Sequence, residues 1–141
     1  MPERTFFMLK PDAVERGLRR EIFKRVRSAG FTVVEEAQIE MLPESAKDLY
    51  SIHRGKPFYD GLIQFIASGP VVVSILEKNN AVLDLRKLMG ATDPRQAEDG
   101  TIRGDLKEEN IFSPMGTMKN LVHGSDSIES ANREIPIFFK A

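Results

Sequence analysis

The stretch 68-SGPVVVSILE-77 decides the fold of this 141-residue chain. Ser68-Gly69-Pro70 breaks the preceding pattern, and the β-branched run after it predicts a buried central strand. Working outward, 4-RTFFMLK-10 is a short aromatic and apolar run that predicts a strand running into a loop at Pro11. Residues 31 to 41 place Phe31, Val33, Ala37, Ile39 and Met41 on one side of a period-two pattern, as in a long half-exposed strand. A last strand is predicted at 134-EIPIFF-139.

Helical spacing fills the gaps between these strands. Leu18, Ile22, Val26 and Ala29 recur at helical spacing before Gly30, with Arg19, Arg20, Lys24, Arg25 and Arg27 forming a solvated face. Pro43 opens a segment through Leu49 and Tyr50, and Phe58, Leu62, Phe65 and Ile66 mark a second short helix. Val82, Leu85 and Leu88 mark another, closed by Gly90, and a short helix is predicted near residues 126 to 132 with Asp126 or Ser127 as cap. The order is βαββαβ with small helices inserted. It predicts a single α+β domain over residues 1 to 141, a sandwich whose four-stranded antiparallel sheet carries helices on one face.

Composition narrows the function. Hydrophobic residues make up 41% and charged residues 29%, as in an ordinary globular domain, and the longest apolar runs are strand-sized. The absence of cysteine excludes disulfides and thiolate metal sites and suits a reducing cytoplasm, where the chain is placed. A net charge of −1 gives no global field toward nucleic acid or an anionic membrane, so neither is expected as a partner. Any anion site must be local.

One region breaks the regular pattern. From Gly90 to about residue 121 no period is sustained, and ordered stretches of that length are usually functional. Neither G-x-x-x-x-G-K-[ST] nor G-x-G-x-x-G occurs, so phosphate recognition would fall to side chains. The stretch and its borders supply Arg86, Thr92, Arg103, Lys119 and Asn120, while Lys10 ends the first strand. His123, one of two histidines, follows immediately. A neutral imidazole is nucleophilic at physiological pH, and a carboxylate such as Glu134 could hold its other nitrogen. On residue chemistry alone the roles of core filler, metal ligand and reacting group all stay open. Two histidines without cysteines make a protein-ligated metal site improbable.

The ordered set 10-KPDAV-14, 53-HRGKPF-58, 68-SGPVV-72, 90-GATDP-94, 100-GTIRGD-105 and 120-NLVHGSDS-127 resembles the nucleoside diphosphate kinases over Arg4 to Phe139. The resemblance implies a ferredoxin-like sandwich and a ping-pong transfer of the γ-phosphate of a triphosphate such as ATP to His123, then to a nucleoside diphosphate. It implies that Lys10, Arg86, Thr92 and Arg103 hold the phosphates, with Mg²⁺ carried by the nucleotide itself and no metal ligands from the protein. Asn120 would contact ribose and phosphate, Phe58 would stack on the base, and Leu62 would pack beside it. Tyr50 and Ser125 would adjoin the histidine and Glu134 would orient it, while His53 is assigned a structural or surface role. A homo-oligomer is implied as well.

The chain departs from the family pattern between 100-GTIRGD-105 and Asn120, where family members are several residues shorter. Leu106 also stands where phenylalanine is usual. The apolar residues Ile111, Phe112, Met115 and Met118 of this extension are expected to pack on a neighbouring subunit or over the nucleotide cleft.

Overall fold

A computed structural model describes residues 2–139. Its strands are β1 (Glu3–Leu9), β2 (Thr32–Glu40), β3 (Pro70–Lys78) and β4 (Val122–Gly124), and they form one sheet in the order β2-β3-β1-β4. Every pairing is antiparallel. The helices are α1 (Pro11–Glu15), α2 (Arg19–Ser28), α3 (Pro43–Leu49), α4 (Tyr59–Ile66), α5 (Ala81–Met89), α6 (Ile102–Leu106) and α7 (Ile128–Phe138). The expected βαββαβ order is thus present, with β1 and β3 at the centre.

Both central strands are buried over most of their length because both faces of the sheet are covered. Phe7 and Leu9 of β1 join Val72 and Leu76 of β3 under α2 and α5, in a core with Ile22, Val26 and Leu85. Phe6 and Met8 point the other way, with Val71 and Val73, into a second core built by Leu49, Leu62 and Ile66 of α3 and α4. Helices on one face was the expectation. The inserted α3 and α4, with α7, cover the opposite one, because apolar side chains alternate to both faces of β1 and β3.

Two further expectations change. The period-two side of residues 31 to 41 is broken by a bulge between Val33 and Glu35. One extra residue turns every later side chain over, so Phe31 and Val33 pack in the first core while Ala37, Ile39 and Met41 pack in the second. The strand expected at 134-EIPIFF-139 is instead the end of α7. The edge beside β1 is already taken by Val122–Gly124. The Ser127 hydroxyl accepts the Ser130 amide at 3.0 Å, capping a helix whose Phe138 stacks on Phe6 with ring centroids 5.1 Å apart. Pro136 lies in the last turn of the helix, where its missing N–H takes one bond, to the Asn132 carbonyl, out of the ladder.

The basic face of α2 is solvated as expected and tied by surface ion pairs, among them Arg19–Glu36 and Arg25–Asp105, each of modest worth.

Candidate active site

β4 is only three residues long, yet it fixes the histidine. Met8 pairs with His123 and Phe7 with Gly124, so Val122 and Gly124 face the first core while His123 faces the second. A Cβ at Gly124 would lie 2.7 Å from the Met89 Cε, so the missing side chain lets α5 approach β4. The segment entering β4 is held at Leu121, whose φ of 72° is unusual for a branched side chain. Its amide donates to the Asp12 carboxylate at 3.0 Å, and its carbonyl accepts the Lys10 amide at 2.8 Å.

His123 Nε2 lies 2.9 Å from Glu134 Oε1. Ser125 Oγ donates to the same carboxylate oxygen at 2.9 Å, having accepted the Phe6 amide at 3.3 Å. Since the Phe6 N–H occupies the serine as acceptor, the serine proton is directed at Glu134, as an ionised carboxylate requires. Arg133 adds a bond to Glu134 Oε2 at 3.3 Å and also donates to the Asp48 carbonyl at 2.8 Å, near the end of α3. An oxygen that accepts on one side fixes the imidazole proton on Nε2 and leaves the Nδ1 lone pair free. Among the described residues Nδ1 makes no hydrogen bond. Tyr50 packs edge-on against the imidazole at 5.4 Å and Phe6 lies 5.8 Å away. Burial pushes the Tyr50 phenol above its ordinary range, so the phenol stays protonated.

The imidazole borders a cleft of about 1270 Å³. Lys10, Tyr50, Phe58, Leu62, Arg86, Thr92, Arg103, Asn120, His123 and Glu134 all line it. Ser125 stands behind the histidine, acting on it through Glu134. Lys119, also offered by the sequence as a candidate cation, does not line the cleft and pairs with Glu108 at 3.3 Å instead.

Electrostatics follow from burial. Lys10 Nζ donates to Asn120 Oδ1 at 2.7 Å, and desolvation, helped by the neighbouring Arg103 charge, lowers its ammonium to about 8. Burial likewise lowers Arg103 to about 10, still charged at neutral pH. Arg103 donates to the carbonyls of Asn120, Gly90 and Val122 at 3.0, 3.0 and 2.7 Å, which leaves two of its five N–H groups for a ligand. Asn120 bridges to the Thr92 carbonyl at 3.0 Å. Arg86 is more exposed and reaches only the Asp126 side, with a carbonyl contact of 3.4 Å and a carboxylate contact of 3.9 Å. Three cations, Lys10, Arg86 and Arg103, thus line the same cleft as the histidine.

Two residues go beyond the sequence reading. Asp12 lay in the quoted K-P-D element but received no role, and only the fold reveals that it reaches Leu121. His53, assigned a structural or surface role, lines the cleft between Tyr50 and Phe58, with centroid distances of 6.2 and 5.2 Å. Burial and the Lys56 charge hold its imidazole below the ordinary value. Its signal was the three-residue spacing from Tyr50, which places both rings on one side of a helical turn.

Comparison with known proteins accords with this geometry. A sequence model of the nucleoside diphosphate kinase family matches residues 3–141. The structure of a halophilic nucleoside diphosphate kinase from Halobacterium salinarum in complex with CDP is similar at a TM-score of 0.91 and 41% identity, covering 100% of this chain and 90% of the other. A nucleoside diphosphate kinase from Encephalitozoon cuniculi, crystallised without ligand, gives a TM-score of 0.90 at 34% identity, covering 99% of this chain and 90% of its own. On these matches the chain belongs to the nucleoside diphosphate kinase family.

Proposed function

We propose that this nucleoside diphosphate kinase runs its phosphate exchange through Nδ1 of His123, with ATP as a donor. The observation that carries the proposal is the 2.9 Å contact of His123 Nε2 with Glu134 in a cleft whose facing wall is cationic. The Nδ1 lone pair attacks the γ-phosphorus as the bond to the bridging oxygen breaks, and the diphosphate leaves with that electron pair. An acceptor diphosphate oxygen then attacks the phosphohistidine, and the N–P electrons return to Nδ1. Lys10, Arg86 and Arg103, with Thr92, offset the charge on the phosphoryl oxygens, and Asn120 holds the ribose side. Phe58 offers its ring to the base with Leu62 beneath it, a contact that needs no base-specific hydrogen bond.

Magnesium fits this arrangement as a counter-ion of the nucleotide phosphates, where it would draw charge from the leaving diphosphate. No cluster of three or more histidine or carboxylate side chains is formed among the described residues, so the phosphates, not the protein, are its ligands in this proposal. No helix among the described residues is long and apolar enough to cross a membrane. The proposal extends to a homo-oligomer working in the cytoplasm, which the cysteine-free composition suits.

Incubation with γ-labelled ATP and Mg²⁺ tests it. Acid-labile label on His123 that is discharged by a free nucleoside diphosphate is the expected result, and His123→Ala abolishes it. Label that persists in that variant, or that free diphosphate cannot remove, overturns the reading.

A further inference from the structure

Lys10 is only 6% exposed and borders the cleft, so a reagent reaches its side chain from the cleft side. Its Nζ donates to Asn120 Oδ1 at 2.7 Å, while the Asn120 carbonyl accepts Arg103 Nε at 3.0 Å. One asparagine thus holds the lysine and a guanidinium as neighbours. Among the described residues Nζ has no other hydrogen-bond partner and forms no ion pair.

A buried ammonium without an ion-pair partner is easily converted to the free amine, and the Arg103 charge adds to the effect of burial. With the pKa lowered to about 8, roughly a quarter of Lys10 is free amine at pH 7.5, against about one part in a thousand for an ordinary lysine. Because Asn120 Oδ1 takes an N–H, the amine lone pair stays unused. Phosphoryl transfer through His123 calls on the charged form of Lys10, so the free amine is a nucleophile that the exchange leaves idle.

The groups around it select what arrives. Arg103 keeps two N–H groups after its three carbonyl bonds, and Arg86, in the same cleft, is open to solvent. Guanidinium groups hold a phosphate in a bidentate manner whatever else the molecule carries. An electrophile that bears a phosphate is therefore concentrated beside Nζ, and one without a phosphate is not.

We propose that Lys10 is an acylation site for small acyl phosphates, the mixed anhydrides of a carboxylic acid and phosphoric acid, with Arg86 and Arg103 holding the phosphate and the carbonyl carbon presented to Nζ. This rests on the phosphate-binding reading of the cleft above and adds a reaction to it. The Nζ lone pair attacks the carbonyl carbon, the bond from that carbon to the bridging oxygen breaks, and phosphate leaves with the electron pair. The departing phosphate takes the proton that the nitrogen sheds, so no further reactant is needed. The product is an uncharged amide, which removes one of the cations that nucleotide binding uses. Activated acyl groups thereby close the exchange site.

Acetyl phosphate and acetic anhydride, applied separately to the whole protein at pH 7.5, test the proposal, with acetyl-lysine quantified by peptide mass spectrometry. Lys24 and Lys47, both exposed, serve as internal references. Acetyl phosphate is expected to modify Lys10 at least about tenfold faster than either reference, with exchange activity lost in step. Mg²⁺-ADP is expected to protect Lys10 and leave the references unchanged. Acetic anhydride, which carries no phosphate, is expected to show a much smaller preference, and Arg86→Ala is expected to cut the acetyl phosphate preference about threefold. Equal rates at the three lysines, a preference equally strong with acetic anhydride, or phosphoryl label on His123 with Lys10 unmodified overturns the proposal. His123→Ala is expected to acetylate at Lys10 as the wild type does, so failure of the catalytic reading and failure of this one are told apart.

Discussion

The Asp12 carboxylate accepts the Leu121 amide at 3.0 Å, tying the first turn after β1 to the residue two places before the histidine. The same carboxylate lies beside Lys10, whose charge opposes the effect of burial on Asp12. Position and charge in the site therefore meet at one buried side chain.

Removing that acceptor should release the entry to β4. Asp12→Ala leaves the buried Leu121 amide unpaired at a backbone conformation that is already costly, for a loss of about 1–3 kcal/mol in denaturant unfolding. Exchange activity is expected to fall further than stability, because His123 is two residues away. Asp12→Asn keeps an oxygen acceptor and is expected to retain most of the stability, as urea titration would show.

A pH dependence follows from Lys10. Its pKa in the folded protein is depressed to about 8, so the free enzyme loses this charge as pH rises through that value. Phosphate binding favours the charged form, hence the Kd for Mg²⁺-ADP should rise above pH 8 and stay flat just below it. The linkage sign for stability is opposite. Between pH 8 and 10.5 the unfolded chain binds more protons at this lysine than the folded one, so its contribution to stability increases with pH. Asp12→Asn removes a charge that raises the Lys10 pKa and should move the loss of ADP affinity to lower pH, measured by calorimetry across pH 6 to 9.

Glu134 acts on His123 without touching the nucleotide in this arrangement. Glu134→Gln is expected to lower kcat about a hundredfold while the Kd for ADP changes little, since a carboxamide is free to donate toward the ring and loses the charge facing it. Pre-steady-state labelling of His123 would read the chemical step directly. A Kd that falls apart together with kcat would place Glu134 in the fold alone.

Arg103 holds three carbonyls that a lysine cannot span. Arg103→Lys should destabilise the protein by about 2–4 kcal/mol through carbonyls left unpaired at a buried site, visible as a lowered denaturation midpoint. Arg86→Lys, at an exposed position with two long contacts to Asp126, should leave stability nearly unchanged and weaken nucleotide binding.

Much of the fold was legible because β1 and β3 carry uninterrupted apolar runs and α2, α4 and α5 carry clear helical spacing. The run Phe6-Phe7-Met8-Leu9 belongs to a sheet covered on both faces, but in the sequence it reads only as a strand, and the expectation of helices on one face missed its second core. What escaped reading was local or compensated. The bulge at Val33 and Glu35 leaves no mark of its own in β2, and β4 is too short to show a period. In 134-EIPIFF-139 the alternation of apolar residues favours a strand, and only the occupied edge beside β1 makes α7 the better solution. The cleft residues were legible as a set through the family motifs, whereas the role of Asp12 depends on a contact across 109 residues.

The shared oxygen of Glu134 has an energetic consequence. In the proposed exchange, Nε2 keeps its proton against a carboxylate already fixed by Ser125 and Arg133, so neither half would have to deliver a proton to solvent or collect one. On that proposal the ring would become more positive when Nδ1 takes the phosphoryl group, and the carboxylate across the ring would answer that change in place. Loading and unloading are then mirror images, so the direction of flux is set by the relative concentrations of the nucleotides outside.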